Sequence, residues 1–377
     1  MPEFDIIFVL PYLFSDHPSF PEGILKRTLE AEGFSVGVIE TPFWQEPGYF
    51  TVLGPPRLFF ALIPGPVDSI VLNYTSSRKR RNEDLYQENG QAFFQGYPPS
   101  IKYKIRPDQT LVVFANCIRQ VYKDTPMVIG GLEASLRCFA HYDFQRDKIK
   151  RSILLDSRAD LLVNGMGEKQ LVAIAKKAKA GTPLKTLNLP GTANVTNDIS
   201  SFENYVPLPS LAEILQEPAK LMEAALKIES ARLANRGMIQ WQGDRCVVAH
   251  ANETYTARDL DSYYGFAYSR AHREETGLSP ALRMNLFSIT SHRGCGGGCA
   301  FCSISPHQGK QVISRSSSSI LSEIERFNAH PQWKGIVSDI GGATAELYGT
   351  GCGKPSCAKV SCLAKSPCQD LRSSDKF

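Results

Sequence analysis

The first pattern along the chain is an apolar run over residues 4–10, interrupted only by Asp5, the mark of a parallel strand covered on both faces. Ser19, followed three residues later by Glu22, gives a capping-box signature for a helix over 21–32, with Gly33 as its C′ residue. A second strand is predicted at 34–39. Further strands are predicted at 68–72 and 127–129, with a helix over about 109–122 leading into the latter. Residues 160–163 read as a fifth strand, followed by a helix over about 168–180. Strand and helix alternate, so the fold expected for 1–181 is α/β, a Rossmann-like doubly wound parallel sheet. Its ligand-binding loops should be 16–20 and 130–135, at the strands' C-terminal ends. No G-x-G-x-x-G follows the first strand, and a dinucleotide site is unsupported.

The pattern weakens over 182–285, which reads as a connector with helices. Residues 184–209 are rich in Pro, Asn, Ser and Thr and should run over the surface. Leu221, Ala225, Ile228 and Ala231 have the spacing of an amphipathic helix. Gln242-Gly243-Asp244 supplies a turn for a hairpin over 241–250. Periodicity returns in the third region, 286–377. A β-branched run at 286–290 is followed by a helix start at Ser316 to Ser319, with Ile320, Ile324 and Phe327 on one face. A strand is then predicted over 334–340, with Ile336 and Val337 inside, ending in Gly341-Gly342-Ala343-Thr344. The tail from Leu371 shows no strand character.

Composition changes this picture little. The chain has 377 residues, 42% hydrophobic and 21% charged, as an ordinary globular protein has. A net charge of +4 does not indicate a nucleic-acid partner. The one dense basic run, Arg78-Lys79-Arg80-Arg81, reads as a solvated face. No long apolar segment or signal-peptide pattern occurs, so no membrane partner is expected and the location expected is cytoplasmic. Thiols stay reduced there, and clustered cysteines bind metal more often than they form disulfides.

Seven of the ten cysteines fall between Cys295 and Cys368. Cys295, Cys299 and Cys302 have C-x3-C-x2-C spacing in a loop with glycines at 294 and 296–298. Thiolates suit iron–sulfur clusters, zinc and copper(I), and three protein ligands leave one position open for a small molecule. A zinc loop completed by His292 or His307 uses the same residues. Cys352, Cys357, Cys362 and Cys368 follow at C-x4-C-x4-C-x5-C, which suits a closed tetrahedral zinc site or a second iron–sulfur cluster. The two sets are expected to act independently. His17, His250 and His272 read as capping, surface or packing residues.

The three-cysteine loop resembles that of the radical S-adenosylmethionine (SAM) enzymes. Beyond the loop, Asp16-His17-Pro18-Ser19-Phe20, Gly130-Gly131-Leu132-Glu133-Ala134-Ser135-Leu136-Arg137, Ala140-His141-Tyr142-Asp143 and Arg151-Ser152-Ile153-Leu154-Leu155-Asp156 are similar to segments of the YgiQ-like radical SAM proteins. Ser291-His292-Arg293-Gly294-Cys295, His307-Gln308-Gly309 and Ser314-Arg315-Ser316 extend the resemblance over nearly the whole chain. Gly296 departs from it, because that family usually carries phenylalanine there.

The resemblance implies a 4Fe-4S cluster on Cys295, Cys299 and Cys302. It further implies SAM positioned by Phe301 near the adenine and by Gly341 and Gly342 at the amino group. The expected activity is reductive cleavage of SAM to a 5′-deoxyadenosyl radical that acts on an unknown substrate. An electron donor such as a flavodoxin or ferredoxin would serve as partner. The N-terminal domain resembles the cobalamin-binding domain of some radical SAM proteins. Adjacent Asp16 and His17 depart from its D-x-H-x-x-G pattern, so cobalamin is not supported. Only 75 residues (377 minus 302) follow the last loop cysteine, against about 250 for a full barrel. The third region is therefore expected to be the truncated start of a partial (β/α) barrel. A rival reading is a non-catalytic metal- or iron–sulfur-binding interaction module.

Overall fold

The apolar run becomes β1 (Ile6–Leu10), every residue of which is buried. This computed structural model describes residues 3–96, 102–273, 277–342 and 347–373, the last span without 353, 355, 356, 358 and 365. β2 (Val36–Glu40), β3 (Phe59–Leu62) and β4 (Met127–Ile129) follow. β5 (His141–Asp143) and β6 (Lys148–Lys150) form a separate hairpin. The main sheet resumes with β7 (Leu161–Val163), β8 (Thr192–Thr196), β9 (Val206–Pro207), β10 (Met238–Gln242) and β11 (Arg245–Ala249). The nine strands lie in the order β2-β1-β3-β4-β7-β8-β11-β10-β9. The block from β2 to β7 is parallel, and β7-β8-β11-β10 is antiparallel.

Alternation sorts the parallel block into two apolar layers. Ile7, Val9, Phe60, Leu62 and Ile129 face one side, under Leu111, Phe114 and Ile118 of the helix Thr110–Val121. Ile6, Phe8, Leu10, Phe59 and Val163 face the other, under Leu29 of the helix Pro21–Ala31 and Leu171 and Ile174 of the helix Glu168–Lys179. Because both faces are covered, these strands read as continuous apolar runs.

Three expectations are corrected here. Residues 68–72 do not form a strand: Ser69–Asn73 is a helical turn, because the Asp68 carboxylate accepts from Ile70 N (2.9 Å) and caps it. The third strand is Phe59–Leu62 instead. The Ser19/Glu22 capping box does not form. Phe20 is the N-cap, and Glu22 turns inward to accept from Tyr12 OH (2.8 Å) and Ser15 N (3.3 Å). The span 182–285 is more than a connector, since β8 to β11 widen the sheet and bury Thr192 and Ala193 in the polar stretch expected at the surface. The predicted hairpin is β10–β11, with Gly243 at φ +74° in its turn.

The third region adds β12 (Ser288–Thr290), β13 (His292–Arg293), β14 (Ile313–Ser314) and β15 (Asp339–Gly341). β15 is shorter than predicted, and Ile336 is 71% exposed rather than inside. β16 (Thr350–Cys352) pairs with β17 (Leu371–Ser373), so the start of the tail is a strand after all. Among the described residues no helix is long and apolar enough to cross a membrane.

Candidate functional site

β12 and β15 pair in parallel, Thr290 opposite Gly341, and the crossover between them carries Cys295, Cys299 and Cys302 and the helix Ser317–Arg326. The cysteine loop is shaped by close backbone approaches. At Gly294 (φ +87°) a Cβ would sit 2.0 Å from Gln311 O, and at Gly298 (φ +60°) 2.4 Å from Val360 O. A Cβ at Gly297 would lie 3.2 Å from Cys295 Sγ and 3.6 Å from Cys299 Sγ, so two of the thiols flank one side-chain-free position. Cys302 N donates to Cys299 O (3.0 Å) and Cys295 N to Gly309 O (3.0 Å), closing the loop on itself. Cys299 is exposed, while Cys295 and Cys302 are half-buried. Among the described residues, no three His, Cys, Asp or Glu side chains converge as a preformed metal cage.

Phe301 is 93% exposed. The Gly341 carbonyl accepts from Ser291 N (2.8 Å), and a Cβ at Gly342 would lie 2.5 Å from His292 Nε2. Ala343 and Thr344 lie outside the described residues. His292 Nδ1 faces Ser291 Oγ and His307 Nδ1 faces Ser135 Oγ, both at 3.0 Å.

The second cysteine set packs onto the first. Cys362 N donates to Gly296 O (2.7 Å), and Ser361 Oγ donates to Gly297 O (2.6 Å). The two sets, expected to act independently, thus share a backbone contact. Burial pushes the Cys362 thiol up, and Cys368, Cys357 and Cys352 add to the rise, so the four thiols occupy one neighbourhood. A backbone hydrogen bond from Asp370 and the Lys359 ammonium, 3.2 Å from Sγ, hold Cys368 below the usual thiol range.

Buried ion pairs fix this region against the sheet. Arg293 donates to Glu168 Oε1 (2.6 Å) and to Tyr264 OH (3.1 Å). Burial alone would lower the Arg293 pKa, but the Glu168 carboxylate outweighs it and raises it. Glu323 receives Arg270 on one oxygen and Arg315 on the other, and all three are buried. Arg270 also reaches Leu286 O and His17 Nε2, each at 2.7 Å, tying the loop after β1 to the approach to β12. His17 Nδ1 accepts from Ser19 N (3.0 Å); burial and then Arg270 keep this imidazole neutral. Asp16 pairs with Arg27 and accepts from Ser269 N (2.9 Å). His250 and His272 are packing residues, held by Tyr205 OH (2.8 Å) and by Phe14 O and Ser279 N (both 3.0 Å).

Two cavities adjoin the cysteine loop. One, of about 190 Å³, lies where the loops after β1, β3, β4 and β7 converge and reaches Arg293 and His307. A strand order of 2-1-3-4 and then the next parallel strand places a ligand crevice at that edge. The other, of about 670 Å³, runs from Asn164 and Arg232 to Gly296 and Cys362. Sequence reading missed Arg270, Glu323, Glu168 and Arg232, which have no local pattern. Arg293 and Arg315 entered only through motifs.

A family model described as "Radical SAM N-terminal" matches residues 1–288. A UPF0313 protein of Geobacter sulfurreducens is 40% identical over 98% of this chain and 61% of its own length. UPF0313 proteins of Methanosarcina mazei (36%) and Clostridium botulinum strain ATCC 19397 (37%) align over 99% and 97% of this chain and 65% and 57% of theirs. The chain thus spans about six-tenths of the length of these relatives. Among solved structures, the radical SAM methyltransferase TsrM of Kitasatospora setae, with cobalamin and a 4Fe-4S cluster bound, matches 86% of this chain and 46% of its own. Identity is 16% and the TM-score 0.44, too low to carry a functional argument.

Proposed function

The chain belongs to the radical SAM N-terminal family, in keeping with its YgiQ-like motifs and UPF0313 relatives, and we propose that it is the cluster-bearing part of a radical SAM enzyme. The observation that carries this reading is the pair of sulfurs, Cys295 and Cys299, flanking Gly297 on a loop that leaves β12. The glycine leaves the room a bulky inorganic core needs, and the donor set of three thiolates fits a 4Fe-4S cluster with one iron open. When bound, such a cluster supplies one-electron reductive cleavage of SAM to methionine and a 5′-deoxyadenosyl radical.

The residues present would act by ligation, orientation and exclusion of water. Cys295, Cys299 and Cys302 would hold the iron, and exposed Phe301 would be available to the adenine. The backbone of Gly342, which packs against His292, would be available to the SAM amino group. Gly341 has one carbonyl lone pair left after Ser291. Cys352, Cys357, Cys362 and Cys368 form a second metal site, zinc or iron–sulfur, that braces the loop through Gly296. The β12–β15 pair opens a partial barrel, the electron comes from a flavodoxin- or ferredoxin-type donor, and the location is the cytoplasm.

Anaerobic reconstitution with iron and sulfide tests this. The chain should develop iron–sulfur absorbance that changes on adding SAM. Cys299→Ala should lose the SAM-responsive absorbance, since one of its three thiolate ligands is gone. An equal SAM-responsive absorbance in Cys299→Ala would remove these cysteines from the assignment.

A further inference from the structure

The larger cavity has an arginine at its wall with nothing to bind. Arg232 lies in the last turn of the helix Lys220–Leu233, and its Nε is buried with no hydrogen-bond partner among the described residues. Glu229, one turn back, makes no ion pair with it among the described residues, and burial depresses the Arg232 pKa. This contrasts with Arg106, Arg270, Arg293 and Arg315, which each meet a carboxylate. A half-buried guanidinium whose buried Nε has no acceptor is costly, and the chain keeps one at the edge of a 670 Å³ space. Gly296 of the cysteine loop and Lys310 line the same space. Asn164, just past β7, lines the same cavity, and its side-chain oxygen is also buried without a partner.

We propose that this cavity is the substrate site and that Arg232 binds an oxyanion of the substrate, a carboxylate or a phosphate, while Asn164 accepts from an N–H or O–H of the same molecule. Guanidinium is the side chain whose planar fork matches both anions in two-point contact. The cavity's volume suits a small molecule. Gly296, between the first two cysteines of the loop, lines the same cavity, so an anchored substrate would lie close to the cysteine loop. The substrate role rests on the radical SAM reading, whereas the anion site itself does not.

The test uses the whole chain after anaerobic reconstitution, with inorganic phosphate and acetate as probes against chloride at matched ionic strength. Phosphate or acetate should raise the unfolding midpoint of the wild type and of Arg232→Lys. Arg232→Met should weaken that response by about tenfold or more, the loss of a charge-assisted contact. Without anion, Arg232→Met should unfold at or above the wild-type temperature, because an unpaired, half-buried charge has gone. A lower midpoint in Arg232→Met, or an equal anion response in all three proteins, overturns the site. Displacement of phosphate by SAM would place SAM's own carboxylate on Arg232 and overturn the substrate assignment. The cluster spectrum is read on the same samples. Absent absorbance with an intact anion response fails the radical SAM reading alone, and the converse fails this site alone.

Discussion

In the parallel block, β1, β3, β4 and β7 send alternate side chains into two continuous apolar layers, and the helices need only cover them. Past residue 286 the apolar supply shrinks to a small cluster around Phe287, Ile289, Ile320 and Phe327. Buried charge takes over there: Arg270–Glu323–Arg315 and Arg293–Glu168 do the positioning that Ile and Phe do in the sheet. The two regions fail differently. Apolar layers tolerate rearrangement, whereas a buried ion triad has one working geometry and no use for one member alone. A cysteine loop that must present three sulfurs in fixed relation gains from the second kind of support.

Glu323→Gln should break this contrast most severely. It leaves Arg270 and Arg315 buried with no anion between them, at a cost of about 3–5 kcal/mol. The loss should stay local. Amide exchange should rise in β12 and the helix Ser317–Arg326 while β1, β3 and β4 keep their protection, and cluster reconstitution should fall. A uniform drop across the sheet would mean that the two regions unfold as one unit.

The same contrast explains what the sequence reveals. β1, β4, β7 and the helices that cover them were readable because their pattern is local and repeated. β3 was overlooked beside the equally apolar Ser69-Ile70-Val71-Leu72, which Asp68 turns into helix with a single carboxylate. The cysteine ligands are legible from spacing because metal loops are sequence-local. The groups that hold the loop are not: Arg293 and Glu168 are 125 residues apart, and Arg270 and Glu323 are 53 apart. β8 and β9 were hidden by a polar composition that suits the edge of a mixed sheet, whereas the β10–β11 hairpin shows through its turn residues.

A pH-dependent effect is expected from Glu22, a buried acid of the parallel block with no ion pair. Burial pushes Glu22 up to about 8, from an ordinary carboxyl value of 4.5. The folded state therefore holds a proton that the unfolded chain has released. Its stabilising contribution is full below the ordinary value and is lost as pH rises through about 8. Glu22→Gln keeps an acceptor for Tyr12 and cannot ionise, so it should flatten this slope. The two proteins should match in acid, and the variant should lead near pH 8 by something on the order of 4 kcal/mol, about 1.4 kcal/mol for each unit by which the pKa is raised. Unfolding midpoints measured across that window decide it. Parallel curves for the two proteins would show that Glu22 is already ionised in the fold.

The smallest change expected in global stability, and the sharpest probe of the C-terminal quarter, is Gly296→Phe, the residue usual in the YgiQ-like family. Gly296 does not have a left-handed φ, so a side chain is not excluded by the backbone. A Cβ there would sit 3.3 Å from Cys362 Cβ and 3.4 Å from its Sγ, and a ring must displace that side chain. Global stability should move by only about 1 kcal/mol, because this buried position faces the tail and the larger cavity rather than the core of the sheet. Cys362 should respond more strongly. Burial now holds its thiol protonated, and exposing it should lower its pKa and speed its reaction with an alkylating probe. Metal retained by Cys352, Cys357, Cys362 and Cys368 should fall, while the SAM-sensitive absorbance of the first cysteine set persists. If Cys362 labels at the wild-type rate and the metal content is unchanged, the contact with Gly296 does not brace the tail. If the SAM-sensitive absorbance vanishes as well, the two cysteine sets form one site, and Gly296 is the hinge between them.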